Sequence, residues 1–549
     1  QNNTLNFAFK PNEKPQEMLV IWPDNSYQVF KSFNLNKTSI LKYDGNRVNK
    51  PVQDISTIIS SFIKPKSQFN YQNIDARLIA QVKTNQTIDF NYYYLLPHTY
   101  LQLPPPIATG DINGDGYDDI YVGGIEGEDK YMLMGQKDGS FKKGKVFAQN
   151  FNDADAQAAF VDLNQDGKLD LVVSNADHPF AEVKDIKPLR VYLNRGKNQF
   201  DVIPMPNAHA LTSKMCFIDI NHDGLKDIYL AGAVSFRDYT RSMEAVILLN
   251  RGNGKFELGA NQQFKELKNI QFVKNLLVSD INKDGFDDLL ISAEWQPLQI
   301  FLNSKSGLKK WSPKSLENLK GWWQSAIVTD LNHDGQPDLV AGNWGLNNKF
   351  NVNRDQPLNA YHSDLDDDGK NDLILSYFYK GKHYPFRPKN DLETELPYLK
   401  KKWLSYREMS EKTTEEVFEG KLPEKDYLSA NSFESIYISD FLHKNEITAL
   451  PYLYQQAPIM GLQIQKNNEV IVNGNFWGTI PYEGKYDALG LATLKYDLNK
   501  KEIAAPVYWI NPAINFNEID QFQSIKMGKK ENYVALTSDG RIFILSENP

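Results

Sequence analysis

AAFVDLNQDGKLDLVVSN, residues 158–175, holds two short apolar runs joined by the nine residues DLNQDGKLD, and that joint decides the fold. The pattern occurs six times: DINGDGYDD at 111–119, DLNQDGKLD at 162–170, DINHDGLKD at 219–227, DINKDGFDD at 280–288, DLNHDGQPD at 330–338 and DLDDDGKND at 364–372. Positions 1, 3 and 5 carry a carboxylate or carboxamide, position 6 is glycine and position 9 is aspartate. Apolar runs such as AAFVD, MCFID, LLVSD and SAIVTD end at position 1, and DIYVGG, DLVVSN, DIYLAG, DLLISA, DLVAGN and DLILSY begin at position 9. Short β-rich runs bounded by turn residues read as strands, and none is long enough for a helix. Each loop therefore joins strand to strand. The loops start 51, 57, 61, 50 and 34 residues apart, and β-hairpins repeating at about 40–60 residues indicate a propeller.

The loop chemistry suits a hard cation. Ca²⁺ takes about six to eight oxygens from a loop that curls around it. Alternate residues of a tight loop point inward, and glycine at position 6 permits the left-handed turn. The expected side-chain ligands are Asp111, Asn113, Asp115 and Asp119; Asp162, Asn164, Asp166 and Asp170; Asp219, Asn221, Asp223 and Asp227; Asp280, Asn282, Asp284 and Asp288; Asp330, Asn332, Asp334 and Asp338; and Asp364, Asp366, Asp368 and Asp372. Tyr117, Lys168, Leu225, Phe286, Gln336 and Lys370 at position 7 would each add a backbone carbonyl. The pattern resembles the front half of a calcium-binding helix–loop–helix without its glutamate at position 12. Six Ca²⁺ ions is the upper expectation.

With these loops and flanking strands the chain resembles the FG-GAP or VCBS repeat β-propellers, which carry calcium in such loops. LVIWPDNSYQVFKSFNLNKTSILKY, residues 19–43, resembles the ASPIC/UnbV domain, with Trp22-Pro23-Asp24-Asn25 in place of its WP-x-G turn. AGNWGLNNKF, ELPYLKKKWLSY, QQAPIMG and GNFWGTIPYEGKYDALG resemble the closing half of long VCBS-repeat proteins of Bacteroidota. That resemblance implies an exported protein on the extracellular face of the bacterial outer membrane, with signal and anchor outside this chain. It implies a lipoprotein context and a partnership with SusC/SusD-type nutrient-uptake proteins.

The expected fold is all-β: a calcium-binding propeller over 104–549, preceded by an ASPIC/UnbV-like β segment at 1–60 and a linker with a leading strand at 61–103. Strand pairs give eight candidate units, but the unit at Asp330 has little room for its outer strands, so seven blades is the first reading and eight the alternative. A strand within 86–100 is expected to complete the last blade. The charged stretch 391–431, with Leu399, Trp403, Tyr406 and Met409 at helical spacing, reads as one or two short helices inserted in a blade.

Composition narrows the function. A net charge of −8 argues against broad nucleic-acid binding, which needs a basic face. The ligand positions contribute nineteen carboxylates, and six ions at +2 each would turn −8 into +4, so the acidity is mostly ligand charge. No run of 18 apolar residues suggests a membrane span. The one cysteine, Cys216, reads as a buried small hydrophobe. The eight histidines are scattered, and His222 and His333 at loop position 4 are expected to face solvent. No nucleophile elbow, zinc cluster or phosphate loop occurs, so a non-catalytic binding or assembly module is expected, with a propeller-fold glycan lyase, glycosidase or lectin as the alternative. Trp322, Trp323, Trp344 and Trp477 stand beside asparagine and glycine. They read either as a groove for carbohydrate or peptide or as wedges packed between blades.

Overall fold

Each loop pairs an apolar strand with its antiparallel successor, and this hairpin is the inner half of a propeller blade. The computed structural model describes residues 17–22, 27–31, 41–43, 70–85, 88–100, 104–147, 154–176, 187–208, 211–235, 238–259, 264–511, 514 and 518–547. Two compact units are present, 1–69 and 70–549.

The larger unit is a closed seven-bladed propeller. Its innermost strands are Ile107–Gly110, Asp155–Val161, Thr212–Ile218, Val273–Ser279, Ser325–Thr329, Ile459–Ile464 and Ile519–Met527. They touch one another in that order, and the last meets the first. Each heads an antiparallel sheet of at least four strands, or its half of the eight-stranded sheet. The second strands, such as Asp170–Asn175 and Asp227–Gly232, are buried along their whole length, because a blade is covered on both faces. Seven apolar clusters fill the seven gaps between blades. Cys216 lies in one of them, and burial pushes its thiol up to about 12.

The ring closes through Asn70–Gln81. This strand runs antiparallel to Arg541–Glu547 as the outer strand of blade seven. Its first residues, Asn70–Asn73, pair in parallel with Val507–Ile510 of blade six. The strand expected within 86–100 is therefore displaced upstream. Residues 88–100 instead turn through Asp89–Asn91 and send Phe90, Leu96 and His98 into the interior. Their apolar groups are needed there more than at a solvent-washed blade edge.

Blade five is interrupted, which explains its missing outer strands. After Asp338–Gly342 the chain leaves the ring and returns to supply Ile436–Ile438 and Thr448–Ala449. The excursion forms a separate four-stranded sheet: Lys382–Pro385, Asp372–Tyr379, Leu358–Ser363 and Leu428–Ala430, in that order. The sixth loop belongs to this sheet. Four short helices follow, Lys389–Glu395, Leu399–Lys402, Tyr406–Ser410 and Thr414–Phe418, where one or two were expected. Ser405 and Thr413 cap the last two through reciprocal bonds with Glu408 and Glu416, the capping-box arrangement that satisfies the first amides of a helix.

In the smaller unit Met18–Ile21 pairs with Tyr27–Phe30. Trp22 donates to Gln28 at 2.7 Å and sits edge-on to Tyr43. Pro23, Asp24 and Asn25 of the expected ASPIC/UnbV turn, and the linker residues 61–69, lie outside the described residues.

Candidate metal centre

Five loops follow the innermost strands of blades one to five and so share one end of the ring; the sixth stands on the inserted sheet. All six have one backbone form. Position 4 is left-handed in each: Gly114, Gln165, His222, Lys283, His333 and Asp367. The glycine at position 6 is left-handed as well, with φ between 79° and 90°. Two such residues fold nine residues into a cup. Both oxygens of the position 1 aspartate face inward. In the second loop Asp162 Oδ1 accepts from the Asp166 amide at 3.2 Å and Oδ2 from Gly167 at 2.9 Å. Asp111, Asp219, Asp280, Asp330 and Asp364 do the same. The position 7 amides of Tyr117, Lys168, Leu225, Phe286, Gln336 and Lys370 donate to the carboxylates of Asp115, Asp166, Asp223, Asp284, Asp334 and Asp368.

Position 9 is different. Asp119, Asp170, Asp227, Asp288 and Asp338 are 0% exposed and Asp372 is 8% exposed. One oxygen of each accepts the amide of position 2. In the ring loops the other accepts an amide of the third strand or its continuation, from Gly135, Asn194, Asn250, Asn303 or Asp440. No described lysine or arginine ion-pairs with any of the six. Burial therefore raises them all, Asp119 and Asp372 to about 7 and Asp227 to about 6. A buried carboxylate without a cation is costly, and this one borders a cup of carboxylate and amide oxygens. The donor set is all oxygen, which fits Ca²⁺ or another hard ion and not a thiolate- or imidazole-seeking metal. In the sixth loop carboxylate oxygens of Asp364, Asp366 and Asp372 lie within 4.8 Å of one another.

Three asparagines that the repeats display, but whose role the loop pattern did not reveal, lock neighbouring loops. Asn194, Asn250 and Asn303 lie near the ends of the third strands, within two residues of the last strand residue. Asn194 Nδ2 donates to the Ile112 carbonyl at 2.8 Å and Asn250 Nδ2 to Leu163 at 2.9 Å, each in the preceding blade's loop. Asn303 reaches the Asp219 carbonyl at 3.3 Å. The signal in the sequence is the recurring YLNRG, LLNRG and FLNS, which also reads as hairpin turns. His333 is exposed as expected, but His222 is half-buried and packs edge-on against Phe286 of the next loop, 5.0 Å between centroids.

At the other end of the ring the tryptophans do not form an open groove. Trp322, Trp323 and Trp344 are 1%, 0% and 2% exposed, and Trp322 and Trp344 meet edge-to-face at 4.9 Å. With Phe350, Phe386, Phe433 and Phe476 the ring pair fills the space between hub and inserted sheet. Trp323 packs between blades four and five, and half-buried Trp477 lies under Lys485. The neighbouring amide is a staple rather than a sugar ligand: Asn343 Oδ1 accepts from Trp322 and Trp344, and its Nδ2 donates to the Ser432 carbonyl. His98 stacks on Trp344, with Nε2 3.0 Å from Glu294 and Nδ1 2.9 Å from the Thr99 carbonyl. Burial alone would raise Glu294, but the charges of His98 and Lys274 and hydrogen bonds from His98 and Gln324 hold it at about 2. This cluster is a structural plug.

The chain carries FG-GAP-like repeats, matched over residues 111–173, 219–291 and 280–341. These stretches contain the five ring loops and stop short of the sixth. Solved structures that match include BBS1N in complex with ARL6DN, at 10% identity over 87% of this chain and 97% of that one, TM-score 0.38. Another is an exotype rhamnogalacturonan lyase, at 11% identity over 86% of this chain and 75% of that one, TM-score 0.34. A Saccharomyces cerevisiae Dbp5–Nup159–Gle1 assembly gives 9% identity over 87% and 96%, TM-score 0.36. No helix among the described residues is long and apolar enough to cross a membrane.

Proposed function

We propose that this propeller is a calcium-stabilised binding or assembly module. What carries the reading is the backbone turn shared by all six loops, each beside a buried carboxylate that no described lysine or arginine pairs. In a calcium-rich extracellular medium weak modular sites of this kind stay filled. The ions would neutralise charge that otherwise pushes the loops apart, and folding and metal binding would be linked. The rigid ring then presents the inserted sheet and helices for recognition, as loops on a scaffold commonly do. In the most specific form of this reading, the partner is an outer-membrane uptake protein of the SusC/SusD type, met on the outer face of the cell. The test is co-purification of the full chain from source membranes, with and without residues 399–421. A partner lost with the segment, while the calcium-dependent melting transition stays, supports the reading; a partner retained after the deletion places recognition elsewhere.

One observation favours the enzymatic alternative. Glu518 and Asp520 stand two residues apart at the start of the innermost strand of blade seven, and burial raises both, Glu518 to about 7. Carboxyl groups with raised values serve as general acids on glycans. Turnover of pectic or other polysaccharides that Asp520→Asn abolishes would establish that activity in place of the binding role.

A further inference from the structure

The sixth loop departs from the other five in three ways. In the ring loops the position 3 asparagine accepts the position 5 amide, as Asn164 does from Asp166 at 3.0 Å. Asp366 makes no such bond. It turns instead toward Asp364 and Asp372, and its Oδ1 is buried without a partner. The ring loops also place an amide of the third strand or its continuation on the second oxygen of position 9. On the inserted sheet Asp372–Tyr379 is followed by a tight turn and pairs with Lys382–Pro385 only from Ser376 onward, so no amide arrives. Asp372, 8% exposed, keeps Oδ2 on the Leu365 amide at 2.9 Å, and no described residue donates to its Oδ1.

Helices occupy the vacated side. Leu365, position 2 of the loop, packs with Leu392, Leu396 and Leu399, and its carbonyl accepts Lys421 Nζ at 2.6 Å. This packing brings Glu395 and Tyr398 beside the loop. Glu395 is half-buried, near enough to feel the charges of Lys370, Asp368 and Asp366. Its Oε2 accepts the Tyr94 amide at 3.3 Å. The Tyr398 hydroxyl is buried without a partner.

We propose that the sixth loop is a hard-cation site completed by Glu395 of the inserted helices, with Tyr398 closing over it, so that a bound Ca²⁺ clamps the helical insertion onto its sheet. This rests on the reading of the loops as calcium sites and adds a ligand from outside the repeat. Carboxylate oxygens of Asp364, Asp366 and Asp372 already lie within 4.8 Å of one another; Asp368 from the loop and Glu395 from the helix would raise the carboxylates to five, against three in each ring loop. The ion here would govern the insertion, and the ring ions the ring.

The experiment uses the full chain, freed of metal and titrated with Ca²⁺, with two readouts: the global melting temperature and tryptic cleavage between Lys400 and Lys421. For the wild type, Ca²⁺ is expected to suppress cleavage in that segment at lower concentration than it raises the melting temperature. Glu395→Gln retains an acceptor for the Tyr94 amide, so a packing role alone predicts an unchanged midpoint. As a ligand its loss should move the protection midpoint about tenfold higher and leave the global calcium response intact. Asp366→Asn, which restores the ring-loop residue, should move it in the same direction. A Glu395→Gln midpoint within about twofold of wild type overturns the proposal, as does wild-type cleavage indifferent to Ca²⁺ while the melting temperature responds. A melting temperature that also ignores Ca²⁺ overturns the calcium reading of the loops itself.

Discussion

Lys283 Nζ donates to the carbonyl of Gly335 at 2.8 Å, from position 4 of one blade's loop to position 6 of the next. Gln165 makes the same reach to Gly224, and His222 covers Phe286 between them. The second to fifth loops thus form a chain in which each left-handed position 4 residue touches the turn of its successor. Ordering one cup restricts the next.

Calcium should therefore bind these blades with positive coupling. The isotherm is expected to be steeper than independent sites allow, and Lys283→Ala to flatten it and weaken the neighbouring site about twofold, since an exposed contact contributes little by itself. Calorimetric titration of the two proteins checks this; superimposable isotherms would remove the coupling.

Metal-free protein should lose stability as pH rises. Burial holds the folded values of Asp119 and Asp372 near 7 and Asp227 near 6, above the ordinary value of 3.8 that the unfolded chain has. Raised carboxyls support the fold fully below the unfolded value, and the support disappears as pH climbs through the folded ones. Melting of metal-stripped protein is expected to fall between about pH 4 and 8, and saturating Ca²⁺ to flatten that fall. A melting temperature that climbs across the same range in the stripped protein would contradict the assignment.

Asn250→Ala removes two donors, to Leu163 and to Lys226, from a residue 1% exposed. It strands two carbonyls and should cost about 1–3 kcal/mol, read from urea midpoints. It should also weaken calcium at 162–170 more than at 330–338, because the severed bond lands on the former loop. Equal weakening at both would make the asparagine a general core residue.

Ile74→Ala attacks the closure. Ile74 is 4% exposed in the gap between blades six and seven, and truncation should cost about 2–5 kcal/mol. The same truncation at exposed Leu78 should cost far less. Comparable losses at both positions would argue against Asn70–Gln81 as the closing strand.

The inner halves of the blades were legible because DxNxDG and its flanking apolar runs dictate a strand, a turn and a buried strand with few alternatives. Seven blades followed from the crowding at Asp330. The interruption of blade five was not legible: DLDDDGKND spells the same turn as the ring loops, and nothing local says that its sheet stands outside the ring. The strand Ile436–Ile438, which resumes the blade, carries no loop of its own. NYQNIDARLIAQ carries no clean apolar run, because a terminal blade strand keeps much of its surface in water. Trp322 and Trp344 could be weighed only as groove or wedge, since indole beside amide reads alike in both; the Asn343 staple decides it.

The most direct measurement is the calcium content of the full chain, stripped of metal, re-equilibrated in millimolar Ca²⁺, desalted and assayed by atomic emission. Calcium-filled loops predict several ions per chain, at most six, with one lost in Asp162→Ala and the remainder kept. Calcium no higher than in the desalting buffer, with a melting curve indifferent to chelation, would contradict the account and leave the loops as plain turns.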